Sequence, residues 1–171
     1  MIQIMSILKS LLNYLDNHKI KYEVINHRTV YTARDKAATL HLDPKIVVKI
    51  AVIKYGPKDY LLSLVPANKN IDKPKLKKTI NTWLKKENKK LAKTLAFAGE
   101  NWMKKNIQGN IGATPPFGEL FKLPTFVDGI LLRQQKLIIN TGDYNQSIKL
   151  TKASFLKGIG EIVKASFSKK K

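Results

Sequence analysis

The order of helical and strand patterns along the chain constrains the fold more than any other feature of the sequence. Apolar residues recur at helical spacing in residues 4–17 and 74–87, which predicts two amphipathic helices. Short runs of large apolar residues predict strands in six other segments: residues 21–25, 47–53, 60–65, 125–127, 136–140 and 146–150. Because the two patterns do not alternate strictly, the sequence predicts an α+β fold with a mixed, curled β-sheet.

Local start signals place two further elements near the first strands. Thr32 and Asp35 have the spacing of a capping box, so we expect a helix that begins after Thr32 and continues to Leu40. The pair Asp43-Pro44 predicts a single helical turn, because proline is favoured at the first helical position. This turn would deliver the chain directly into the strand of residues 47–53.

Turn residues and the end of the chain complete the expected architecture. Residues 56–59 predict a hairpin between the strands on either side of them. A shorter helix is expected over residues 100–106, and the end of the chain is expected to be a short, frayed basic tail, residues 169–171. With 171 residues and no linker or repeat, the chain is expected to form one domain, residues 1–171.

Composition restricts the chemistry that the chain can perform. It has no cysteine, which excludes disulfide scaffolds, thiolate metal sites and cysteine nucleophiles. Its three histidines lack a metal-ligand spacing and no G-x-S-x-G motif occurs, so we expect neither a bound metal nor a serine triad. The apolar start has no basic leader, and no apolar run is long enough to span a bilayer. We therefore predict a soluble, cytoplasmic protein with no membrane partner.

The charge of the chain favours a polyanionic partner. The formal net charge is +20, and lysines that neutralise phosphates release counterions and so promote association with nucleic acid. Lysine-rich surfaces also arise from composition bias or from selection for solubility, so charge alone leaves contact with RNA open. It says nothing about chemistry.

One segment has the glycine- and proline-rich composition of a functional loop. Residues 107–118 contain Gly109, Gly112, the pair Pro115-Pro116 and Gly118, all ahead of a predicted strand. Binding and catalytic residues are concentrated on loops that a rigid scaffold positions. We therefore expect a site here.

Three stretches, in this order, resemble the YbaK / prolyl-tRNA-synthetase-associated deacylase family. The first is residues 27–33 followed by the strand that contains Lys49, at the position of the family's hallmark lysine. The second is residues 111–118, similar to the family's G-A-x-x-P-F-G loop, followed by Asp128. The third is residues 138–142, similar to the glycine-containing turn between the family's last strands.

The resemblance covers about residues 20–168 and implies a fold and an activity. The fold is a curled mixed sheet or barrel of about six or seven strands with helices around it. The activity is hydrolysis of misacylated tRNA, in a pocket that holds the tRNA 3′ end. The family uses no cofactor, metal or protein nucleophile as a general rule, and a terminal ribose hydroxyl or a water attacks the ester. The implied partners are the aminoacyl-tRNA acceptor end and an aminoacyl-tRNA synthetase.

The resemblance also assigns site residues. Ester hydrolysis needs a held carbonyl, donors for the developing oxyanion and an attacking oxygen. Lys49 could hold a phosphate or the carbonyl region, and the backbone around Gly112 could donate N–H groups where only glycine permits close approach. We assign Lys49 and Gly112 as catalytic residues. The expected substrate-binding residues are His27, Tyr31, Thr114, Pro115, Phe117, Gly118, Asp128 and Gly142.

Several of these residues also have plain structural explanations. Lys49 could be a surface lysine at a strand edge, and Gly112 and Gly118 could serve turn geometry. Asp128 could be catalytic, could pair with Lys49, or could cap a turn. His27 could act as a general base near neutral pH, or could position the ribose or the loop around it.

We therefore expect a trans-editing deacylase that removes a small amino acid, alanine or cysteine, from tRNA of the proline system. Residues 141–145 depart from the Gly-Ser-Gly-like turn that lines the amino-acid pocket in many relatives, so the identity of the amino acid stays open. Two alternatives are a non-catalytic tRNA- or RNA-binding module of the same fold and a general nucleic-acid binder driven by charge.

Overall fold

The structure, a computed structural model, describes residues 2–171 and the side chains from Ile7 onward, so the side chain of Ile4 lies outside the described residues. Within this part of the chain the helices are α1 (Ile2–Asn17), α2 (Ala33–Thr39), α3 (Lys73–Lys86), α4 (Glu100–Asn106) and α5 (Lys152–Ile159). The strands are β1 (Glu23–Asn26), β2 (Val48–Lys54), β3 (Tyr60–Pro66), β4 (Lys69–Ile71), β5 (Ala96–Phe97), β6 (Thr125–Asp128), β7 (Lys136–Asn140), β8 (Gln146–Thr151), β9 (Val163–Ala165) and β10 (Ser168–Lys170). Three 3₁₀ turns occupy Pro44–Ile46, Gly118–Phe121 and Leu131–Arg133.

The strands form three sheets. The largest has the order β5-β2-β3-β6-β9, the second has the order β1-β8-β7, and β4 pairs with β10. In the largest sheet β2 and β3 form the predicted antiparallel hairpin, whereas β6 lies parallel to β3 and β9 lies parallel to β6. The predicted α+β class with a mixed sheet is confirmed. The strands outnumber the six or seven expected because β4, β5, β9 and β10 are only two or three residues long.

A single bridge joins the two larger sheets. Val47, just before β2, pairs in parallel with Ile138 of β7. Both side chains are buried together with Ala37 of α2, which covers this junction. The junction therefore fixes β2 beside β7 at one point only.

Helix α3 covers one face of the largest sheet. Leu76, Ile80 and Leu84 follow one another at a spacing of four residues, and all three are buried against residues that include Leu61 and Phe126. Burial of each such side chain stabilises the fold by about 1.5–3 kcal/mol. The lysines of α3 lie mainly on its outer surface, as the amphipathic pattern predicts. Among residues 2–171, no helix combines the length and apolar character that a membrane crossing requires.

The predicted local start signals operate as expected. The Thr32 hydroxyl accepts a hydrogen bond from the amide of Asp35 at 3.1 Å and caps α2. The Asp43 carboxylate accepts from the amide of Lys45 at 3.0 Å and caps the 3₁₀ turn before β2. Both signals depend on neighbours in sequence, which is why they could be identified without the structure.

The basic end of the chain is not frayed, which corrects our expectation. Ser168, Lys169 and Lys170 form β10 and pair antiparallel with Ile71, Asn70 and Lys69 of β4. This pairing brings the C-terminal lysines beside the hairpin formed by β2 and β3.

Candidate active site

The glycine loop, residues 107–118, packs against the 141–145 turn. The amide of Gly142 donates to the carbonyl of Ala113 at 2.7 Å, and the amide of Asn110 donates to the carbonyl of Gly142 at 2.8 Å. Gly109 and Gly142 have φ values of +97° and +96°, and a Cβ atom on Gly109 would lie 2.9 Å from the Cα atom of Gly142. Larger residues would push the two segments apart.

Gly112 lies at the exposed tip of this loop. Its φ value is +87°, and a Cβ atom there would lie 3.1 Å from the carbonyl oxygen of Tyr31. The Tyr31 ring is 65% exposed and meets the Tyr144 ring edge-on, with 4.8 Å between centroids. The Tyr144 hydroxyl in turn donates to the carbonyl of Ile111 at 2.5 Å. Two predicted site residues, Tyr31 and Gly112, therefore lie together at the surface, while Gly142 is buried in the turn that carries Tyr144.

A buried lysine lies beneath the glycine loop. The Lys36 ammonium donates to the side-chain oxygen of Asn140, and the Asn140 amide group donates to the carbonyl of Thr114 at 3.2 Å. Lys36 is only 5% exposed, and burial lowers its pKa to about 8. Thr114, itself buried, thus reaches the site through its backbone.

Sequence reasoning missed Lys36. A signal was present, because Lys36 precedes Leu40 by four residues and so shares the inner face of the capped helix. Tyr144 was also missed, although it belongs to the turn that the resemblance identified. Its pKa is raised by burial and by the neighbouring Tyr31.

His27 is held at both ring nitrogens. Nδ1 lies 2.8 Å from the carbonyl oxygen of Arg28, and Nε2 lies 2.8 Å from the Ser147 hydroxyl. A carbonyl oxygen only accepts, so Nδ1 carries a proton and, in the neutral ring, Nε2 accepts from Ser147. Ser147 is the cross-strand partner of Asn140. His27 therefore belongs to the polar layer under the glycine loop, where its geometry favours positioning over general-base catalysis.

Lys49 borders a cleft of about 680 Å³ between β2, β4, β5 and the start of α3. Its ammonium donates to the carbonyl of Lys69 and to the side-chain oxygen of Asn70, the latter at 3.2 Å. Burial, and then the charge of Lys171, lower the pKa of Lys49 to about 8. We call this space the Lys49 cleft.

The Lys49 cleft and the glycine loop are connected through the sheet junction. Beyond the parallel bridge between Val47 and Ile138, Lys49 and Asn140 each lie two residues further along their strands. Side chains two residues apart in a strand point to the same side, so Lys49 and Asn140 face the same side of the junction. No hydrogen bond in residues 2–171 joins Lys49 to the glycine loop. The junction therefore links the two features through the backbones of β2 and β7.

Several predicted substrate-binding residues are internal. Phe117 is fully buried, and its ring lies near those of Tyr14 and Phe155. A Cβ atom on Gly118 would lie 2.2 Å from the Thr125 hydroxyl, so this glycine permits close packing. Both residues shape the loop from inside, and contact of either with a substrate stays a prediction. Pro115 is also buried.

Asp128 is buried and is surrounded by backbone amides. Its carboxylate is 1% exposed and accepts hydrogen bonds from the amides of Ile130 at 3.0 Å, Phe167 at 2.9 Å and Ser168 at 2.8 Å. Within the described residues it forms no ion pair with Lys49. Of the roles considered for Asp128, capping of its turn is the one observed, and the same group anchors β10.

The surface around the site carries unneutralised positive charge. In the part of the chain that the structure describes, one ion pair is present, between Lys45 and Asp43 at 3.9 Å. The same residues contain no group of three or more histidine, aspartate or glutamate side chains arranged to hold a metal ion. The site therefore offers lysine ammonium groups and backbone amides, which suit phosphate and carbonyl oxygens.

Comparison with known proteins identifies the family of this chain. Residues 27–157 match the family of the aminoacyl-tRNA editing domain. The chain therefore belongs to the aminoacyl-tRNA editing domain family, and the family predicted from the three motifs is confirmed. A comparison with curated proteins gave no significant match.

Two solved structures share the fold. The hypothetical protein APE2540 superposes with a TM-score of 0.76 at 16% identity, over 93% of this chain and 99% of that one. A protein proposed to be a trans-editing enzyme for prolyl tRNA synthetase superposes with a TM-score of 0.74 at 20% identity, over 95% of this chain and 97% of that one. At these identities the likeness establishes the fold alone.

Proposed function

We propose that this protein is a trans-editing aminoacyl-tRNA deacylase, which hydrolyses the ester that joins a small amino acid to the 3′ end of mischarged tRNA. The observation that carries the proposal is the exposed, positive-φ Gly112 beside Tyr31, in a chain of the editing-domain family whose Lys49 lies two residues beyond the bridge between the two larger sheets. Alanine and cysteine on tRNA of the proline system are the substrates to test first.

The glycine loop has a backbone donor to offer. The amides of Asn110 and Ala113 are hydrogen-bonded within the loop and its neighbouring turn. Within the described residues, no protein acceptor bonds the amide of Gly112. Such a fixed donor stabilises an ester oxygen as it becomes negative, and removal of one typically costs about 10²–10³ in rate.

The reaction needs no protein nucleophile. A water molecule attacks the carbonyl carbon of the ester. Alternatively, the neighbouring ribose hydroxyl attacks first and takes over the amino acid, and water then cleaves the new ester in the same way. The bond from that carbon to the ribose oxygen breaks, the ribose oxygen takes a proton, and the free amino acid and the tRNA leave. The protein contributes orientation and charge stabilisation, which supply much of the acceleration in reactions of this kind.

Lys49 supplies a held cation for the acceptor end. An ammonium group has three N–H donors, and the carbonyl of Lys69 and the side chain of Asn70 accept two of them. The third donor is left for an oxygen of the substrate. With a pKa of about 8, the Lys49 ammonium group is mainly protonated at neutral pH, and this charged form binds a phosphate best.

The test is release of free amino acid from a panel of tRNAs charged with alanine, cysteine and proline on the proline isoacceptor. Wild-type protein is expected to release a mismatched amino acid and to spare prolyl-tRNA. Lys49→Ala is expected to lower kcat/KM about tenfold or more, because one charge-assisted hydrogen bond is lost. The matched control is Lys85→Ala, at an exposed position near the end of α3. Wild-type rates equal to buffer would refute the enzymatic proposal.

A second candidate is a tRNA-binding module without catalysis. The observation in its favour is that both ring nitrogens of His27 are engaged, which leaves the site without a free histidine base. Retention of charged tRNA in a filter-binding assay, together with no amino-acid release by wild type, would favour this module over the enzyme.

The setting of the activity is part of the proposal. We propose that residues 1–171 act as one domain in the cytoplasm, where tRNA is charged, and that a synthetase can present the mischarged tRNA to it. Co-sedimentation with prolyl-tRNA synthetase, with and without tRNA, tests the partnership.

A further inference from the structure

An exposed aromatic ring borders the Lys49 cleft. Phe97 lies in β5, pairs with Ile53 of β2 and is 56% exposed. The Lys73 ammonium lies 4.8 Å from the centroid of the Phe97 ring. An exposed ring with a cation 4.8 Å from its centroid offers a flat apolar surface and a positive charge side by side, which suits a ligand that is both flat and anionic.

The charges around the ring have one sign. The lining of the cleft includes Lys49, Lys73 and Lys169 and contains no carboxylate. The neighbouring acid, Asp72, caps α3 by accepting from the amide of Lys75 at 3.1 Å. The space of about 680 Å³ falls in the range of small-ligand pockets, about 300–1,000 Å³.

We propose that Phe97 is a stacking platform for an unpaired nucleotide, with Lys73 and Lys169 on the adjoining phosphates. The inference rests on the proposed function, because it names the part of the tRNA that this side of the site holds: the single-stranded 3′ end. Single-stranded nucleic acids are bound by this combination of an aromatic face and a cationic groove.

A nucleotide fits the cleft better than a protein segment does. The cleft has an apolar wall that includes Ile71 and Pro74 beside Phe97, and three lysines stand around it. A neutral peptide would cover the apolar wall but leave the three ammonium groups without an anionic partner. A base supplies a π-face for Phe97, and its phosphate supplies the negative charge that the lysines lack. Both components of the site are then used by one ligand.

The test measures binding of a fluorescently labelled RNA tetranucleotide of sequence ACCA by anisotropy at fixed salt. Phe97→Leu keeps an apolar side chain but removes the π-face, and we expect affinity to fall about tenfold. Phe97→Trp is expected to bind within about twofold of wild type. The matched control is Leu91→Ala, which removes an exposed apolar side chain outside the Lys49 cleft and should leave binding unchanged. Equal affinities of wild type and Phe97→Leu would overturn the proposal, as would equal binding of a blunt-ended RNA hairpin.

The outcome is separable from that of the proposed function. With misacylated tRNA, Phe97→Leu should raise KM about tenfold and leave kcat near wild type, since stacking contributes equally to ground state and transition state. Hydrolysis by wild type with no effect of Phe97→Leu on KM would remove the platform and keep the enzyme. Loss of tetranucleotide binding in Phe97→Leu, with no hydrolysis by wild type, would keep the platform and remove the enzyme.

Discussion

Lys36 is the side chain whose environment is least expected from its chemistry. A lysine is almost never fully buried unless it is paired, yet Lys36 is 5% exposed and its recorded partner is the neutral side chain of Asn140. The contact holds Asn140 against the carbonyl of Thr114 and thereby supports the glycine loop. Burial of this charge lowers the free energy of unfolding, and the charged group lies beside the residues that form the candidate site.

That cost predicts how stability changes with pH. Burial lowers the pKa of Lys36 from 10.5 to about 8, so between these values the unfolded chain binds more protons at this group than the folded chain does. The free energy of unfolding should therefore rise with pH through this window. From pH 7 to 9.5 the contribution of Lys36 is about 2 kcal/mol.

Lys36→Met should remove this contribution. Urea unfolding at pH 7 and pH 9.5 is expected to show a smaller rise in stability for Lys36→Met than for wild type. Lys75→Met, at an exposed position of α3, serves as the control and should follow wild type. Parallel pH profiles for wild type and Lys36→Met would contradict the assignment of the lowered pKa to Lys36.

The position of a charged residue within a helix explains why Lys36 was not predicted. Charged residues in an amphipathic helix ordinarily mark the face exposed to solvent. The one contrary signal for Lys36 is that it shares a helix face with the apolar Leu40. Asp128 shows the same limit from another side, because two of its three amide donors come from residues 167 and 168. A sequence pattern reports neighbours, whereas these contacts depend on the completed fold.

At the scale of elements, the most consequential unpredicted strand is β10. Its pairing with β4 places Lys169 in the lining of the Lys49 cleft. The strand is anchored by Asp128, whose carboxylate accepts hydrogen bonds from the amide of Phe167, just before the strand, and from the amide of Ser168, its first residue. A residue of β6 thus determines whether the cleft has this wall.

Asp128→Ala should lower the free energy of unfolding by roughly 3 kcal/mol, because three amides lose a charged acceptor and two of them sit in the interior or close to it. Amide hydrogen exchange at residues 168–170 should accelerate in the variant more than exchange in β2 and β3. Asp43→Ala removes an exposed cap and should cost about 1 kcal/mol or less. Unchanged protection of residues 168–170 would show that β10 does not depend on Asp128.

The elements that the sequence did predict share one property. The caps at Thr32 and Asp43 and the hairpin of β2 and β3 involve residues close together in sequence. The missed strands β4, β5, β9 and β10 are two or three residues long and pair with partners elsewhere in the chain. The length of a strand and its distance along the sequence from its partner strand, more than residue type, determined which elements could be predicted.

At the scale of the whole molecule, net charge and local charge make different predictions about RNA binding. The chain carries a formal charge of +20, but four lysines, at positions 49, 73, 169 and 171, cluster at or beside the cleft. If binding to single-stranded RNA is centred there, the logarithm of the affinity should fall with the logarithm of salt with a slope of about −3.

Titration of a single-stranded RNA of about twelve nucleotides that ends in ACCA, at several salt concentrations, measures this slope, because its phosphates outnumber the four lysines. Between 50 and 200 mM salt the affinity is expected to fall roughly 50-fold. Lys169→Gln should make the slope shallower by about 0.7, whereas Lys85→Gln should leave it unchanged. A slope two or three times steeper would indicate binding spread over the whole basic surface, as expected of a general nucleic-acid binder.

The two parallel strand pairs of the largest sheet, β3 with β6 and β6 with β9, affect the rate of folding. To place β6 beside β3, and β9 beside β6, the chain must loop out residues 67–124 and then residues 129–162. Closing such long loops costs entropy before any contact rewards it, and folds dominated by distant pairings assemble slowly. Lys49, Phe97 and Lys169 lie in β2, β5 and β10, which are far apart along the chain, so a short excised peptide that contains any one of them cannot reproduce the cleft.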